Sequence, residues 1–290
     1  MKILITGATG FIGQNLLKSL TPDYEIHVLI RPSTKWEEEC KLKKFIFNDN
    51  IEELREYLIA NKIEGIIHLA SLFIAQHQSS QCKELILSNV FLGTALMDAT
   101  KKTMVKWFLN TGTYWQHYIP DSTEYNPVNL YAATKQAFID IAKYYTETSD
   151  IQFVTLKICD TYGPHDPRKK LMALFKKHAE SGEQLVMSPG EQKINLLHID
   201  DVINGFVTLV NLLDKKTPLK KEYALSAKKI YSLQELACIF ESVSKKKLNI
   251  LWGGLPYRER EVMTPWQKGT PIPGWEQTID IFQGIQLFLS

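Results

Sequence analysis

Lys2-Ile3-Leu4-Ile5-Thr6-Gly7-Ala8-Thr9-Gly10-Phe11-Ile12-Gly13 opens as a short apolar run and passes at once into three glycines spaced three apart. Residues 2–6 read as a buried strand, and residues 11–20 place Ile12, Leu16, Leu17 and Leu20 at helical spacing. Thr21-Pro22-Asp23 ends that helix, because proline cannot continue it and pushes its predecessor out of the helical region. Residues 25–30 are again strand-like. Glycines in such a turn let backbone come close to a pyrophosphate, whose charge is held by free N–H groups at the helix N-terminus. A glycine triplet alone also simply makes turns. Set inside a complete strand–helix–strand unit, it predicts a dinucleotide site.

The alternation continues outward from that unit. Residues 44–47, 65–69, 105–110 and 152–158 read as strands, separated by helical runs at 51–60, 84–101 and 130–146. Strands alternating with long helical runs predict an α/β fold, a doubly wound parallel sheet covered on both faces. After Tyr162-Gly163-Pro164 the pattern loosens. Helices are expected at 171–180, 199–213 and 233–242, with short strands near 184–187, 223–225 and 249–251, and irregular chain over 253–274. A smaller C-terminal α/β lobe is therefore expected. We assign residues 1–160 plus 196–226 to the dinucleotide domain and 161–195 plus 227–290 to a substrate lobe.

Composition excludes several classes. The 290 residues carry 34 Lys plus Arg against 32 Asp plus Glu, a net charge of +2, and a nucleic-acid binder usually shows a larger basic excess. Lys245–Lys247 and the Lys-rich stretch 215–221 read as solvated loop edges. Cys40, Cys82, Cys159 and Cys238 lie far apart with no CxxC pair, which predicts neither a metal site nor a disulfide framework and fits a reducing cytoplasm. No apolar stretch approaches the roughly 18 residues of a membrane helix, and the immediate strand leaves no room for a signal peptide.

The second strand sets the choice of dinucleotide. A cofactor without a 2′-phosphate wants an acid at its end, to accept from ribose hydroxyls. Here the strand ends Val28-Leu29-Ile30-Arg31, followed by Ser33, Thr34 and Lys35. An arginine pairs with a 2′-phosphate through charge-assisted hydrogen bonds, where an aspartate would repel it. NADP(H) is expected over NAD(H). Asp49 is placed to accept from adenine or, equally, to cap the helix beginning near residue 51.

Tyr131-Ala132-Ala133-Thr134-Lys135 puts a tyrosine and a lysine on one helix face. Tyrosine ionises near pH 10, and an ammonium one turn away lowers that value by stabilising the phenolate. Tyr131 then becomes a workable general acid or base. Thr111 follows the fifth strand, at the end that faces the ligand crevice in a doubly wound sheet, where a hydroxyl can hold a substrate oxygen. Either motif alone is common on protein surfaces; their order after the glycine loop gives them weight.

Thr6-Gly7-Ala8-Thr9-Gly10-Phe11-Ile12-Gly13, Ile66-Ile67-His68-Leu69-Ala70, Thr111, Tyr131-x-x-x-Lys135, Thr161-Tyr162-Gly163-Pro164 and His198-Ile199-Asp200-Asp201 recur in that order. The sequence resembles the extended short-chain dehydrogenase/reductases, the family of nucleotide-sugar epimerases, dehydratases and 4-ketoreductases. In character it is similar to bacterial reductases that finish deoxysugars for surface polysaccharides. The resemblance implies a Rossmann-like sheet with Gly7, Thr9, Gly10, Phe11, Ile12 and Gly13 on the pyrophosphate. Arg31 and Ser33 would meet the 2′-phosphate, Asp49 and Asn50 the adenine, and Leu69 and Ala70 the adenine-ribose side. Ile158 would pack on nicotinamide, and Lys135 would bind its ribose. Thr111, Tyr131 and Lys135 would be the catalytic set. Thr113, Asp160, Lys193 and Arg258 would join Thr111 and Tyr131 in binding a nucleotide sugar, with Arg260 a rival to Arg258. A homodimer through the helices near 84–101 and 130–146 is implied as well.

Departures from the family pattern narrow the chemistry. Dehydratases place Asp-Glu directly after the threonine, to supply the acid and base that expel water; Gly112 and Thr113 stand here. Epimerase-reductases that invert ring carbons place a cysteine at the position of Thr113 and a histidine in the later lobe. That cysteine is absent, and only His117 and His165 stay as candidate acids. The Arg-Asp-Phe that commonly precedes His-x-Asp-Asp is Ile194-Asn195-Leu196, with Lys193 beside it to substitute for the arginine. Asp160 stands where the family usually has asparagine. The expected function is NADPH-dependent reduction of the C4 carbonyl of a nucleotide-activated 4-keto-deoxysugar. A 4-epimerase that retains NAD is the alternative, and a non-catalytic NADP(H) sensor a more distant one.

Overall fold

The computed structural model describes residues 1–34, 36 and 42–290. Lys35 and Cys40, both named above, lie outside the described residues.

β1 (Lys2–Thr6) holds Ile3, Leu4 and Ile5 without exposed surface, so the strand is covered on both faces and its apolar run is continuous. α1 (Phe11–Leu20) turns Phe11, Leu16, Leu17 and Leu20 inward. β2 (Glu25–Ile30), β3 (Lys43–Ile46), α2 (Ile51–Asn61) and β4 (Gly65–His68) follow. The helix expected over 84–101 divides into α3 (Cys82–Ile86), a π-helical turn (Leu87–Phe91) and α4 (Leu92–Ala99). β5 (Trp107–Thr113) runs three residues beyond the expected end, because its polar tail is buried and pairs with β6 (Gln152–Ile158) through Thr113. α5 (Leu130–Glu147) lies between those two strands in sequence.

In the second half, β7 (Asp160–Tyr162), α6 (Leu171–Ser181), β8 (Leu185–Val186), β9 (Lys193–Ile194), β10 (Leu196–His198) and α7 (Ile199–Asp214) precede β11 (Glu222–Leu225). β12 (Tyr231–Ser232), α8 (Leu233–Ser244), β13 (Ile250–Leu251) and α9 (Ile281–Leu289) complete the chain. Residues 253–274 contain no helix or strand.

The main sheet has seven strands in the order β11-β6-β5-β4-β1-β2-β3, every pair parallel. This is a Rossmann-like doubly wound sheet. One face packs Ile3, Ile5, Ile67 and Leu109 against Leu16 of α1 and Phe206 of α7. The other packs Leu4, Ile66 and Phe108 against Leu54, Leu96 and Phe138 from α2, α4 and α5. A third core joins Phe175, Leu236, Phe240 and Ile285 from α6, α8 and α9. Asp201 ties that region to α7: fully buried, it accepts from Thr278 N (2.9 Å), Thr278 Oγ1 (2.7 Å) and Ile279 N (3.0 Å). Among the described residues no helix is long and apolar enough to cross a membrane.

Candidate active site

A cleft of about 500 Å³ opens beyond the carboxyl ends of the parallel strands. Its floor begins at the glycine loop. Gly7 sits at φ +72°, and a Cβ there would lie 2.5 Å from Ala70 N; a Cβ on Gly13 would strike the Gly7 carbonyl. Gly10 begins α1 without a side-chain cap, so the first-turn N–H groups have no acceptor from it. Gly7, Gly10, Phe11, Ile12 and Gly13 all line the cleft, together with Leu69 and Ile158. Thr9 is exposed beside them and does not line it. Ala70 donates its N–H to Thr6 Oγ1 (3.2 Å) and contributes backbone against Gly7.

Thr111, Thr113, Tyr131 and Lys135 meet in the same cleft. Asn129 caps α5 by accepting from Ala132 N (3.0 Å), which fixes the first turn that carries Tyr131. Two buried polar atoms there have no partner, Thr111 Oγ1 and Lys135 Nζ. Unpaired buried polar groups are costly, so the cleft fits a ligand that brings acceptors to both, as ribose hydroxyls and a carbonyl do. Burial pushes the Lys135 ammonium down to about 8. Burial raises the Tyr131 phenol to about 12, against the opposing pull of Ser71 and Thr113. Sequence reasoning assigned that lowering to Lys135; in this chain the two hydroxyls supply it.

Ser71, Phe73 and Asn89 were not singled out from the sequence. Ser71 donates to Asn89 Oδ1 (3.1 Å), and Phe73 stands edge-on to Tyr131 with ring centroids 5.0 Å apart. Asn89 lies fully buried in the π-helical turn, a local widening that often marks functional positions. Its side chain also accepts from Leu72 N (2.8 Å) and donates to Leu72 O (3.0 Å) and Thr134 Oγ1 (3.0 Å). No local sequence signal marks them, since the π-helical turn at Leu87–Phe91 emerges only in the fold.

Asp160, Lys193 and Arg258 line the other half of the cleft. Asp160 pairs with Lys170 (3.3 Å), so its carboxylate is screened from an incoming anion. Arg258 reaches Glu261 through Nε (2.9 Å) and Nη2 (2.6 Å) and lies over Trp115. Arg260 points elsewhere, bonded to Asn126 Oδ1 (2.6 Å) and stacked on Tyr118. His117 lines the cleft, but both ring nitrogens are engaged, with Glu124 O (2.9 Å) and Lys157 Nζ (2.6 Å). Gly112 turns away from the cleft: a Cβ there would lie 2.8 Å from Lys157 Cγ and 2.9 Å from Gln116 Oε1.

Arg31, Ser33, Asp49 and Asn50 are exposed just beyond β2 and β3 and do not line this cleft. Asn50, rather than Asp49, caps α2, accepting from Glu53 N (3.3 Å).

Residues 3–223 match the model of the NAD dependent epimerase/dehydratase family. The chain belongs to that family. Among its relatives in the epimerase/dehydratase family, the CDP-abequose synthase of Salmonella muenchen is 26% identical over 294 residues, covering 100% of this chain and 97% of that one. The Salmonella typhimurium CDP-abequose synthase is 27% identical, covering 99% and 97%. The same fold is seen in the Bacillus cereus UDP-glucuronic acid 4-epimerase in complex with UDP-glucuronic acid and NAD, with TM-score 0.83, 20% identity, and coverage of 99% and 98%. The Thermotoga maritima UDP-glucose 4-epimerase with UDP-glucose gives TM-score 0.83 at 18% identity, covering 100% and 97%.

Proposed function

We propose that this epimerase/dehydratase-family enzyme is an NADPH-dependent reductase of the C4 carbonyl of a nucleotide-activated 4-keto-deoxysugar, serving synthesis of a bacterial surface polysaccharide. The observation that carries the reading is the site's acid–base inventory. A phenol and an orphaned hydroxyl share the cleft, while Gly112 is closed off by Lys157 and Gln116, leaving no second acid where elimination of water would need one. The full-length likeness to CDP-abequose synthases supports it.

A reduced nicotinamide, when bound, supplies the hydride. Tyr131 gives its proton to the oxygen of the carbonyl as that oxygen becomes an alkoxide. Thr111 Oγ1 donates to the same oxygen and fixes its position. Lys135 binds the ribose hydroxyls. The glycine loop holds the pyrophosphate, Arg31 and Ser33 the 2′-phosphate, and Ile158 backs the nicotinamide. Asp160 accepts from a sugar hydroxyl, and Lys193 and Arg258 meet the diphosphate, Arg258 by leaving Glu261. The enzyme works as a homodimer.

The test is loss of reduced-nicotinamide absorbance on mixing with a CDP-activated 4-keto-deoxysugar and either NADPH or NADH. Stoichiometric oxidation, faster with NADPH, is expected. Tightly retained NAD with interconversion of C4 epimers, and no net oxidation, would establish the epimerase instead.

A further inference from the structure

Phe73 keeps 48% of its surface exposed, yet it lies inside the cleft and not on the outer surface. Its ring stands edge-on to Tyr131, with centroids 5.0 Å apart, and 5.4 Å from the ring of Trp115, which lines the same cleft. Large apolar surface left open in a cleft beside an acid–base residue marks a face that a ligand covers. An ion pair flanks each of the two rings. Lys170 Nζ lies 5.6 Å from the Phe73 centroid and holds Asp160 at 3.3 Å. Arg258 Cζ lies 5.4 Å from the Trp115 centroid, and its Nη2 holds Glu261 at 2.6 Å. A sugar hydroxyl that reaches either ion pair finds a donor or an acceptor. One that lands on Phe73 finds neither, because a phenyl ring carries no such atom.

We propose that Phe73 is a specificity-determining residue: its ring, backed by Trp115, packs on a deoxygenated carbon beside the reacting C4 and discriminates against sugars that carry a hydroxyl there. The proposal rests on the reading that Tyr131 protonates the C4 oxygen, and it deepens that reading by naming the part of the substrate that lacks oxygen. With the C4 oxygen at Tyr131, a ring 5.0 Å away meets what the neighbours of C4 carry, the substituent on C3 or the C6 carbon on C5. A hydrogen or methyl group there takes apolar surface of both partners out of water. A hydroxyl pressed on the ring gives up its water with no hydrogen bond in return. An apolar site rejects an added hydroxyl by about 100-fold at most, so the preference is about 10- to 100-fold. The Asp160–Lys170 pair serves hydroxyls elsewhere on the sugar, so the two features divide the site into a polar and an apolar edge.

The test is calorimetric titration of the full chain with CDP-glucose and with its 3-deoxy and 6-deoxy analogues, a readout that needs no turnover. At least one deoxy analogue is expected to bind about 10- to 100-fold more tightly than CDP-glucose, and the analogue that gains identifies the carbon facing Phe73. Phe73→Leu is expected to keep most of that ratio. Phe73→Asn, which brings a donor and an acceptor, is expected to draw the affinities toward equality. If Phe73→Asn weakens every sugar alike and leaves the ratio unchanged, the role is structural and the proposal is overturned. Equal binding of all three sugars by the parent chain, or binding of none, overturns it as well. The expected ratios in an enzyme that oxidises no reduced nicotinamide would support the role of Phe73 and remove the reductase reading. Oxidation at equal kcat/KM with deoxygenated and hydroxylated 4-keto sugars would do the reverse.

Discussion

Lys157 Nζ lies 2.6 Å from His117 Nε2, and both groups pack on one indole, that of Trp266. The His117 ring stacks on it at 4.1 Å and 12°, while the Lys157 ammonium sits 5.1 Å from its centroid. Glu222 on β11 completes the group at 2.7 Å from Lys157. Trp266 belongs to the irregular chain that carries Arg258, Glu261, Val262 and Pro265 into the cleft. A sheet ion pair, buried on its Lys157 side and partly exposed at Glu222, thus anchors the strap that forms one wall of the cleft.

Lys157→Met is therefore expected to act on the strap more than on the chemistry. It removes the donor to His117 and the cation over the indole, while Glu222, partly exposed, can be rehydrated. A stability loss of about 1–3 kcal/mol is expected. Thermal unfolding checks it, together with a KM for the nucleotide sugar that rises while kcat changes little.

Two members of the proposed catalytic set are expected to weaken the ligand-free fold. Lys135 is 1% exposed with no partner for its ammonium, and Thr111 Oγ1 is likewise unpaired. Lys135→Met and Thr111→Val should each leave the cofactor-free chain as stable as the parent or more so, by up to about 2 kcal/mol, while activity collapses. Because burial lowers Lys135 from 10.5 to about 8, the folded chain binds fewer protons than the unfolded chain between those values. Stability contributed by this group therefore rises with pH across that window, and Lys135→Met should abolish that slope in denaturant titrations.

Histidine burial sets the acid limit by the same sign. His68 is fully buried, bonded through Nδ1 to Thr6 Oγ1 (2.8 Å), and burial followed by the Lys135 charge holds it well below the ordinary histidine range. The folded state keeps it neutral while the unfolded chain protonates below about pH 6.5. Its contribution is complete above that pH and is lost, at about 1.4 kcal/mol per pH unit, as pH falls toward the folded value. His68→Gln should flatten the acid limb of a stability–pH curve; an unaltered limb would assign acid lability to other groups.

Much of this was legible because strand and helix periods do not depend on neighbours. α1 and β2 fall where Pro22 and the apolar spacing put them. What was missed depended on tertiary partners. α9 contains Gly284, a poor helix former, kept because a Cβ there would strike the Tyr162 hydroxyl. β7, β9, β10 and β12 are two or three residues long, too short to show a period. Ser71 and Asn89 carry no local pattern at all; only the fold brings them to Tyr131.

Tyr131→Phe is expected to lower kcat by about 10²- to 10⁴-fold, the usual range for loss of a positioned acid, with NADPH affinity retained. Fluorescence titration of NADPH separates that outcome from misfolding. Retained turnover would mean that another group supplies the proton.

Gly112 offers the sharpest test of the proposed reduction over dehydration. An added Cβ would sit 2.8 Å from Lys157 Cγ, 2.9 Å from Gln116 Oε1 and 2.9 Å from Thr155 Cγ2. Thr155 is a buried β-branched residue on β6 and cannot easily move away. Gly112→Ala is expected to cost about 1–3 kcal/mol by overpacking, seen as a lowered urea midpoint at unchanged slope. Gly112→Asp should be worse by volume, and its carboxylate would meet Lys157 behind the strand instead of the substrate. The expected product analysis for Gly112→Asp shows no dehydrated sugar. Elimination activity in that variant would show that position 112 reaches the cleft after all, and that the missing acid alone had separated the two reactions.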